Sequence, residues 1–151
     1  MTVGVCVNPT EDEVRALLEF VDRSQFHGEE TPDQCRLAGL RGIKAFRAGP
    51  QFTLDVMCAY PTPGYLLDAY VPGQRGGTGA QCDWSLARRA VATGRPVILA
   101  GGLTPENVTD AVRRVHPYAV DTSGGVECAP GKKDHERIRK FIENVRHASM
   151  A

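Results

Sequence analysis

Three glycine-rich segments of this chain have the residue types that hold a small anion. They are Gly76-Gly77-Thr78-Gly79, Gly101-Gly102 and Ser123-Gly124-Gly125. Glycine lets the backbone approach a ligand closely, so that several N–H groups can point at one anion. A single glycine pair after a strand is more often only a tight turn. Three such segments together predict a binding site for a phosphorylated ligand.

Side chains suited to acid–base or ionic chemistry follow apolar runs in the same way. Asp68 comes directly after Tyr65-Leu66-Leu67, and a carboxylate in that place is more often functional than a simple turn cap. His27 and Arg47 end two earlier runs. A lone histidine is as often a structural hydrogen-bonding residue as a catalyst, so both roles stay open for His27.

The elements that must position these residues alternate between strand and helix. The spacing predicts strands over 3–7, 24–26, 43–46, 65–67, 96–100 and 118–121, and helices over 11–20, 32–38, 51–59, 83–93, 105–116 and 134–147. The strands are continuous apolar runs, as expected when both faces of a parallel sheet are covered. In such proteins ligands bind at the carboxyl ends of the strands, where the candidate residues collect.

Composition narrows the classes of function. A chain of 151 residues fits one domain, and 18 Lys plus Arg balance 18 Asp plus Glu, which argues against a nucleic-acid partner. Neither a membrane-spanning apolar run nor a signal peptide is visible, so no membrane role is expected. The five cysteines are scattered without a CxxC pair, which predicts neither a disulfide framework nor a metal site and favours a cytoplasmic location.

Several segments together resemble the phosphoribosylanthranilate isomerase family, whose members are TIM-barrel enzymes of tryptophan biosynthesis. The matching segments are 3–8, 25–29, 66–68, 72–79, 83–84, 98–108, 120–127 and 129–134. The resemblance covers essentially the whole chain and is most specific in its second half. Other phosphate-binding barrels, such as ribulose-phosphate epimerases or indole-glycerol-phosphate synthases, fit the Leu-Leu-Asp and Gly-Gly-Thr-Gly-x-x-x-Asp-Trp spacing less well.

The resemblance implies an Amadori rearrangement, in which the furanose ring of an N-ribosylated anthranilate 5-phosphate opens and becomes the 1-deoxyribulose form. An acid protonates the ring oxygen and a base removes the C2′ proton; Asp68 is the implied general acid. The implied phosphate contacts are Gly101, Gly102, Ser123, Gly124 and Gly125, and the implied substrate contacts are His27, Arg47, Gly77, Thr78 and Gly79. Proton transfers suffice for this reaction, so neither a metal nor an organic cofactor is implied.

The sequence also departs from the family pattern. The family begins with a Lys-x-Cys-Gly strand whose cysteine is the general base, followed by a unit with a Ser-Pro-Arg motif; neither motif occurs here. Cys6 lies in a different strand and does not replace that base. The sequence therefore predicts a single partial TIM-barrel domain over 1–151, with about six βα units equivalent to strands 3–8 of the family. Exposed sheet edges are expected at 2–7 and 119–121.

Three explanations of this pattern stay open. The favoured one is an incomplete gene prediction whose true start lies upstream. The second is a genuine short chain completed by an N-terminal fragment from a partner or by a homo-oligomer. The third is a noncatalytic phosphosugar-binding module. In each case the chain as written is expected to be inactive alone.

Overall fold

The sheet that carries the candidate site is parallel and six-stranded. The computed structural model describes residues 1–49, 52–69 and 81–150. The strands are β1 (Val3–Cys6), β2 (Arg23–Phe26), β3 (Gly42–Arg47), β4 (Gly64–Asp68), β5 (Val97–Leu99) and β6 (Ala119–Val120). They lie side by side in chain order, and every neighbouring pair is parallel. A doubly wound sheet reverses its strand order, so this sequential order is instead the one that a barrel-type sheet requires.

An α-helix lies after each of these six strands along the chain, as the sequence predicts. The helices are α1 (Glu11–Phe20), α2 (Pro32–Arg36), α3 (Leu54–Cys58), α4 (Trp84–Val91), α5 (Val108–Val115) and α6 (His135–Ser149). Five of them begin at a side-chain cap, because the side chains of Thr10, Thr31, Thr53, Asp83 and Asp134 accept backbone N–H groups of the first turn. Thr31 is the cap of α2 and Pro32 is its first residue, a position where the fixed φ of proline fits a helix.

The two faces of the sheet have different environments. Alternate strand residues such as Phe46, Leu67 and Leu99 pack on the outer face against the helices and form the main core. Phe26 packs with Val14 of α1 in a second outer cluster. The inner face has a smaller cluster of strand residues, which comprises Ile43, Ala45, Leu66, Ile98 and Ala100. The carboxyl end of this inner face carries the predicted site residues.

The first and last strands leave the sheet open at both edges among the described residues, as predicted for 2–7 and 119–121. The expectation that both faces of every strand are covered is wrong for β1. Val3, Val5 and Val7 are 39%, 61% and 45% exposed, because β1 has a neighbour on one side only and nothing in the described structure packs on its inner face. Among the described residues, no helix combines the length and apolar character that crossing a membrane requires.

Two further features differ from the predictions. Helix α5 begins at Val108, because the side chain of Asn107 accepts the Thr104 N–H and donates to the Gly102 carbonyl, which holds 104–107 as a turn. An antiparallel hairpin, β7 (Glu127–Ala129) with β8 (Lys132–Lys133), also precedes α6. It turns at Gly131, whose φ of +75° is a left-handed conformation.

Candidate active site

Two of the predicted glycine turns and Asp68 line one cavity at the carboxyl ends of β4, β5 and β6. The cavity has a volume of about 60 Å³, and its lining comprises Asp68, Ala100, Gly101, Gly102, Leu103, Asp121, Thr122, Ser123, Gly124 and Gly125. The structure thus brings together the predicted acid and all five predicted phosphate contacts. The third glycine segment, with Gly77, Thr78 and Gly79, lies outside the described residues.

Gly101 is required where β5 passes β4. Its φ is +84°, and a Cβ there would lie 2.5 Å from the backbone nitrogen of Ala69 and 2.8 Å from its Cβ. Gly102 is also left-handed, with φ of +62°. The backbone can therefore turn beside Ala69, the residue after Asp68, in a conformation that other residues rarely adopt.

Gly125 joins the second turn to the first. A Cβ at Gly125 would lie 1.8 Å from the Leu103 carbonyl oxygen and 2.7 Å from Thr122 Oγ1. Thr122 Oγ1 donates a hydrogen bond of 2.7 Å to the same Leu103 carbonyl. The two turns are consequently in direct backbone contact, which fixes their positions relative to each other.

Basic side chains support the second turn from outside the cavity. The ammonium group of Lys133 donates to the Ser123 carbonyl at 2.9 Å, to Ser123 Oγ at 3.2 Å and to Glu127 at 2.7 Å. Arg137 of α6 donates to the Gly125 carbonyl and pairs with Glu106. These contacts hold the second turn in place, and they put the positive charges of Lys133 and Arg137 near it.

Asp68 faces a histidine across the inner face of the sheet. Its side chain is 12% exposed, Oδ1 accepts the Ala69 N–H at 2.8 Å, and Oδ2 lies 3.6 Å from His27 Nε2. His27 Nδ1 lies 3.1 Å from the side-chain nitrogen of Gln25. The sequence placed His27 and Asp68 at strand ends, and the structure makes them neighbours.

Arg47 takes a different place from the other candidates. It is paired with Asp68 in the β3–β4 register, but it borders a second cavity of about 260 Å³ and makes an ion pair of 2.5 Å with Glu29. His27 lines this second cavity as well. Arg47 is therefore close to the acid but does not line the cavity of the two glycine turns.

Asp121 is a further residue of the candidate site, and the sequence motifs did not single it out. It follows β6 and lines the cavity together with Asp68. Partial desolvation and the nearby Asp68 charge raise the pKa of Asp121, although His27 and Lys133 act in the opposite direction. Its position one residue after the last strand, like that of Asp68 at the end of β4, is the signal that would have found it.

A buried ion pair supports the His27 end of the site and was also missed. Lys44 Nζ donates to Glu30 Oε2 and to the Gly28 carbonyl, both at 2.8 Å, and both side chains are almost fully buried. Glu30 accepts the N–H groups of Asn8 and Gly28. The pair thereby fixes the backbone that follows His27.

Cys6 packs in the outer cluster beside Phe26, on the face of the sheet away from the inner-face residues. Burial raises the pKa of its thiol, which disfavours a reactive thiolate. All five cysteines are unpaired. Among the described residues, no group of three or more His, Cys, Asp or Glu side chains is arranged to hold a metal ion.

Comparison with known proteins identifies the family that this chain resembles. The model of the family described as N-(5'-phosphoribosyl)anthranilate (PRA) isomerase matches residues 1–144. The N-(5'-phosphoribosyl)anthranilate isomerase of Trichlorobacter lovleyi is 52% identical over 124 residues, which are 82% of this chain and 60% of the relative. That of Azotobacter vinelandii is 50% identical over 150 residues, which are 97% of this chain and 72% of the relative.

Solved structures agree with the sequence relatives. The phosphoribosyl anthranilate isomerase of Thermus thermophilus superposes with a TM-score of 0.83 at 36% identity, over 96% of this chain and 72% of that one. A second such isomerase, solved with reduced 1-(o-carboxyphenylamino)-1-deoxyribulose 5-phosphate, has a TM-score of 0.76 at 35% identity, over 96% of this chain and 71% of that one. This chain thus spans 60% to 72% of the length of these four relatives. Because the family model and the fold agree over nearly all of its residues, the chain belongs to the N-(5'-phosphoribosyl)anthranilate isomerase family.

Proposed function

We propose that this chain binds the 5-phosphate of N-(5'-phosphoribosyl)anthranilate and supplies the general acid for its Amadori isomerisation in tryptophan biosynthesis. The phosphate rests on Gly101, Gly102 and the 123–125 turn. Asp68 protonates the furanose ring oxygen as the ring opens. The observation that carries this proposal is the single cavity that Asp68 shares with both glycine turns.

The chemistry of the two turns suits a phosphate. The N–H groups of Gly101, Gly102 and Ser123 donate to no acceptor within the described parts of the chain, so they are available to an anion. Lys133 adds a positive charge behind Ser123. The solved relative with a bound 5-phosphate compound supports a ligand of the same class for this chain.

Asp68 has the surroundings that an acid at this site requires. Its Oδ1 is occupied by the Ala69 N–H, which leaves Oδ2 as the oxygen that can carry and release a proton. A proton transferred from Oδ2 to the ring oxygen leaves a carboxylate next to His27. His27 and Arg47 remain proposed substrate contacts on the β2 and β3 side, and Gly77, Thr78 and Gly79 remain predicted ones.

The six strands are proposed to be the equivalents of strands 3–8 of the family barrel. The Lys-x-Cys-Gly motif, which carries the general base in the family, does not occur in this sequence. We therefore expect no measurable isomerase activity from this chain alone. An N-terminal βα–βα fragment is the proposed complement, since the β1 edge is unpaired in the described structure and Val5 is 61% exposed. The unpaired cysteines support a cytoplasmic, reducing location.

The test is an isomerase assay of the purified chain, alone and with a two-unit N-terminal fragment from a family member. Turnover should appear only in the mixture. It should be lost in Asp68→Asn and retained in Asp110→Asn, which removes an exposed carboxylate of α5. Equal turnover of Asp68→Asn and wild type in the mixture would refute the role of Asp68.

Phosphate binding distinguishes the noncatalytic alternative. If the chain binds inorganic phosphate but the mixture never turns over, the noncatalytic phosphosugar-binding module becomes the better description. Turnover by the chain alone would contradict the expected need for a complement. Assembly of the chain with itself instead of with the fragment, measured by analytical ultracentrifugation, would favour a homo-oligomer at the β1 edge.

A further inference from the structure

Three polar side chains form a row on the inner face of the sheet and end at the proposed acid. Gln25 and His27 are two residues apart along β2 and its end, so they share a face. The Gln25 side-chain nitrogen lies 3.1 Å from His27 Nδ1, and His27 Nε2 lies 3.6 Å from Asp68 Oδ2. Gln25 is 8% exposed, so the first contact is shielded from water.

The first contact fixes which nitrogen of His27 carries hydrogen. An amide nitrogen only donates, so Nδ1 of His27 must accept the hydrogen bond from Gln25. A neutral imidazole has one N–H, which is then on Nε2. Nε2 has no hydrogen-bond partner among the described residues and lies 3.6 Å from Asp68 Oδ2, with Asp121 as a second carboxylate close enough to interact with the ring electrostatically.

This tautomer determines what happens to a proton on Asp68. Because Oδ1 accepts the Ala69 N–H, the acidic proton belongs to Oδ2, the oxygen that faces His27. If Nε2 were bare, it would accept that proton in a hydrogen bond and hold it away from the substrate. An Nε2 that already carries hydrogen cannot accept it, and it can donate to the carboxylate that remains after the proton has gone to the ring oxygen.

We propose that Gln25 is a positioning residue, which holds His27 as the Nε2–H tautomer so that Asp68 Oδ2 keeps its proton available to the substrate. The inference rests on the proposed function, because it assigns Gln25 a role in the acid step of Asp68. Its first part, the tautomer, concerns the resting protein and does not depend on any reaction. If Gln25 only filled space, replacing it with a side chain of equal size would leave the tautomer of His27 unchanged.

The experiment is a long-range ¹H–¹⁵N correlation spectrum of the full chain with ¹⁵N-labelled histidine, at about pH 8, above the ordinary imidazole range. The chain has 4 histidines, and His27→Asn identifies the His27 signals by their loss. Wild type should show a bare Nδ1 and a protonated Nε2. Gln25→Glu, whose carboxylate accepts a hydrogen bond, should place hydrogen on Nδ1, and Gln25→Met should give a mixture of tautomers. Gln81→Glu adds the same charge at an exposed glutamine and should leave the pattern unchanged.

The catalytic part is tested in the complemented enzyme. Gln25→Glu should lower kcat about tenfold or more with little change in KM, because only the availability of the proton changes; Gln81→Glu should not. A protonated Nδ1 in wild type would overturn the inference whatever the reaction. A shifted tautomer with unchanged kcat would overturn the positioning role. Failure of the proposed function is a separate result, namely turnover that survives Asp68→Asn while the tautomer pattern stays as expected.

Discussion

Gly101→Ala should destabilise this chain more than Gly94→Ala, although the two glycines have nearly the same backbone conformation. Their φ values are +84° and +83°. A left-handed backbone costs an alanine about 1–2 kcal/mol, and the lower entropy of the unfolded chain offsets about 0.4–1 kcal/mol of that. Both variants share these terms. Gly94→Ala therefore measures the conformational cost alone.

The two positions differ in the space around an added methyl group. Among the described residues, a Cβ at Gly94 meets no atom within 4 Å, whereas at Gly101 it lies 2.5 Å from the Ala69 nitrogen, which is part of the backbone and cannot rotate away. Overpacking of this kind costs about 1–3 kcal/mol. The free energy of unfolding of Gly101→Ala should accordingly lie about 1–3 kcal/mol below that of Gly94→Ala.

Equilibrium unfolding in urea measures the difference, followed by the fluorescence of Trp84, the one tryptophan of the chain, which packs partly buried against the main core. Gly101→Ala should also lose phosphate affinity, because the shift of Ala69 moves the turn relative to Asp68, while Gly94→Ala should bind as wild type does. Equal unfolding free energies for the two variants would refute the close approach of β5 to Ala69. Unchanged phosphate binding in Gly101→Ala would refute its link to the site.

The remaining predictions concern the charged groups around the site. Burial raises the pKa of Glu30, but hydrogen bonds from Lys44 and a backbone N–H outweigh it and lower the pKa below its ordinary value of 4.5. The contribution of the Glu30 carboxylate to the free energy of unfolding is therefore complete above pH 4.5 and is lost as the pH falls through the lower folded-state pKa. The urea midpoint should accordingly fall more steeply in acid for wild type than for Glu30→Gln. Lys44→Met leaves a buried carboxylate unpaired and should cost about 3–5 kcal/mol; a cost near zero would contradict the buried pair. Lys133→Met should weaken the binding of inorganic phosphate about threefold to tenfold, since it removes a charge-assisted contact beside Ser123, whereas Lys132→Met in the same hairpin should not; equal affinities in calorimetry would exclude a role for Lys133.

The sequence predicted the order of the elements because strands and helices here have strong local signals. The six parallel strands and their helices confirm the elements that this periodicity predicted. The β7–β8 hairpin has short polar strands, which carry no apolar alternation for a pattern to detect. Its turn at Gly131 depends on backbone conformation, which composition alone does not specify.

The sequence likewise predicted some residues of the candidate site and not others. Asp68 and the two glycine turns follow apolar runs, so their place at one sheet edge could be deduced from strand order. The Gln25–His27 contact and the Lys44–Glu30 pair depend on which face each side chain occupies and on register between strands. The sequence around Lys44 shows no partner for it, because Glu30 lies 14 residues away on a loop.

Phosphate binding and turnover should be separable in this chain, since the contacts that build the cavity proposed to bind phosphate are all internal to the chain. Gly101 packs against Ala69, and Gly125 packs against Leu103. Arg137 of α6 donates a hydrogen bond to the carbonyl of Gly125 in the second turn. None of these contacts involves β1, whose exposed inner face lies at the other end of the sheet order. Affinity for inorganic phosphate should therefore be the same with and without the N-terminal fragment, whereas isomerisation should require it. A phosphate affinity that rises tenfold on addition of the fragment would mean that the fragment completes the cavity at the open β6 edge, and that the cavity is not preformed at β5 and β6.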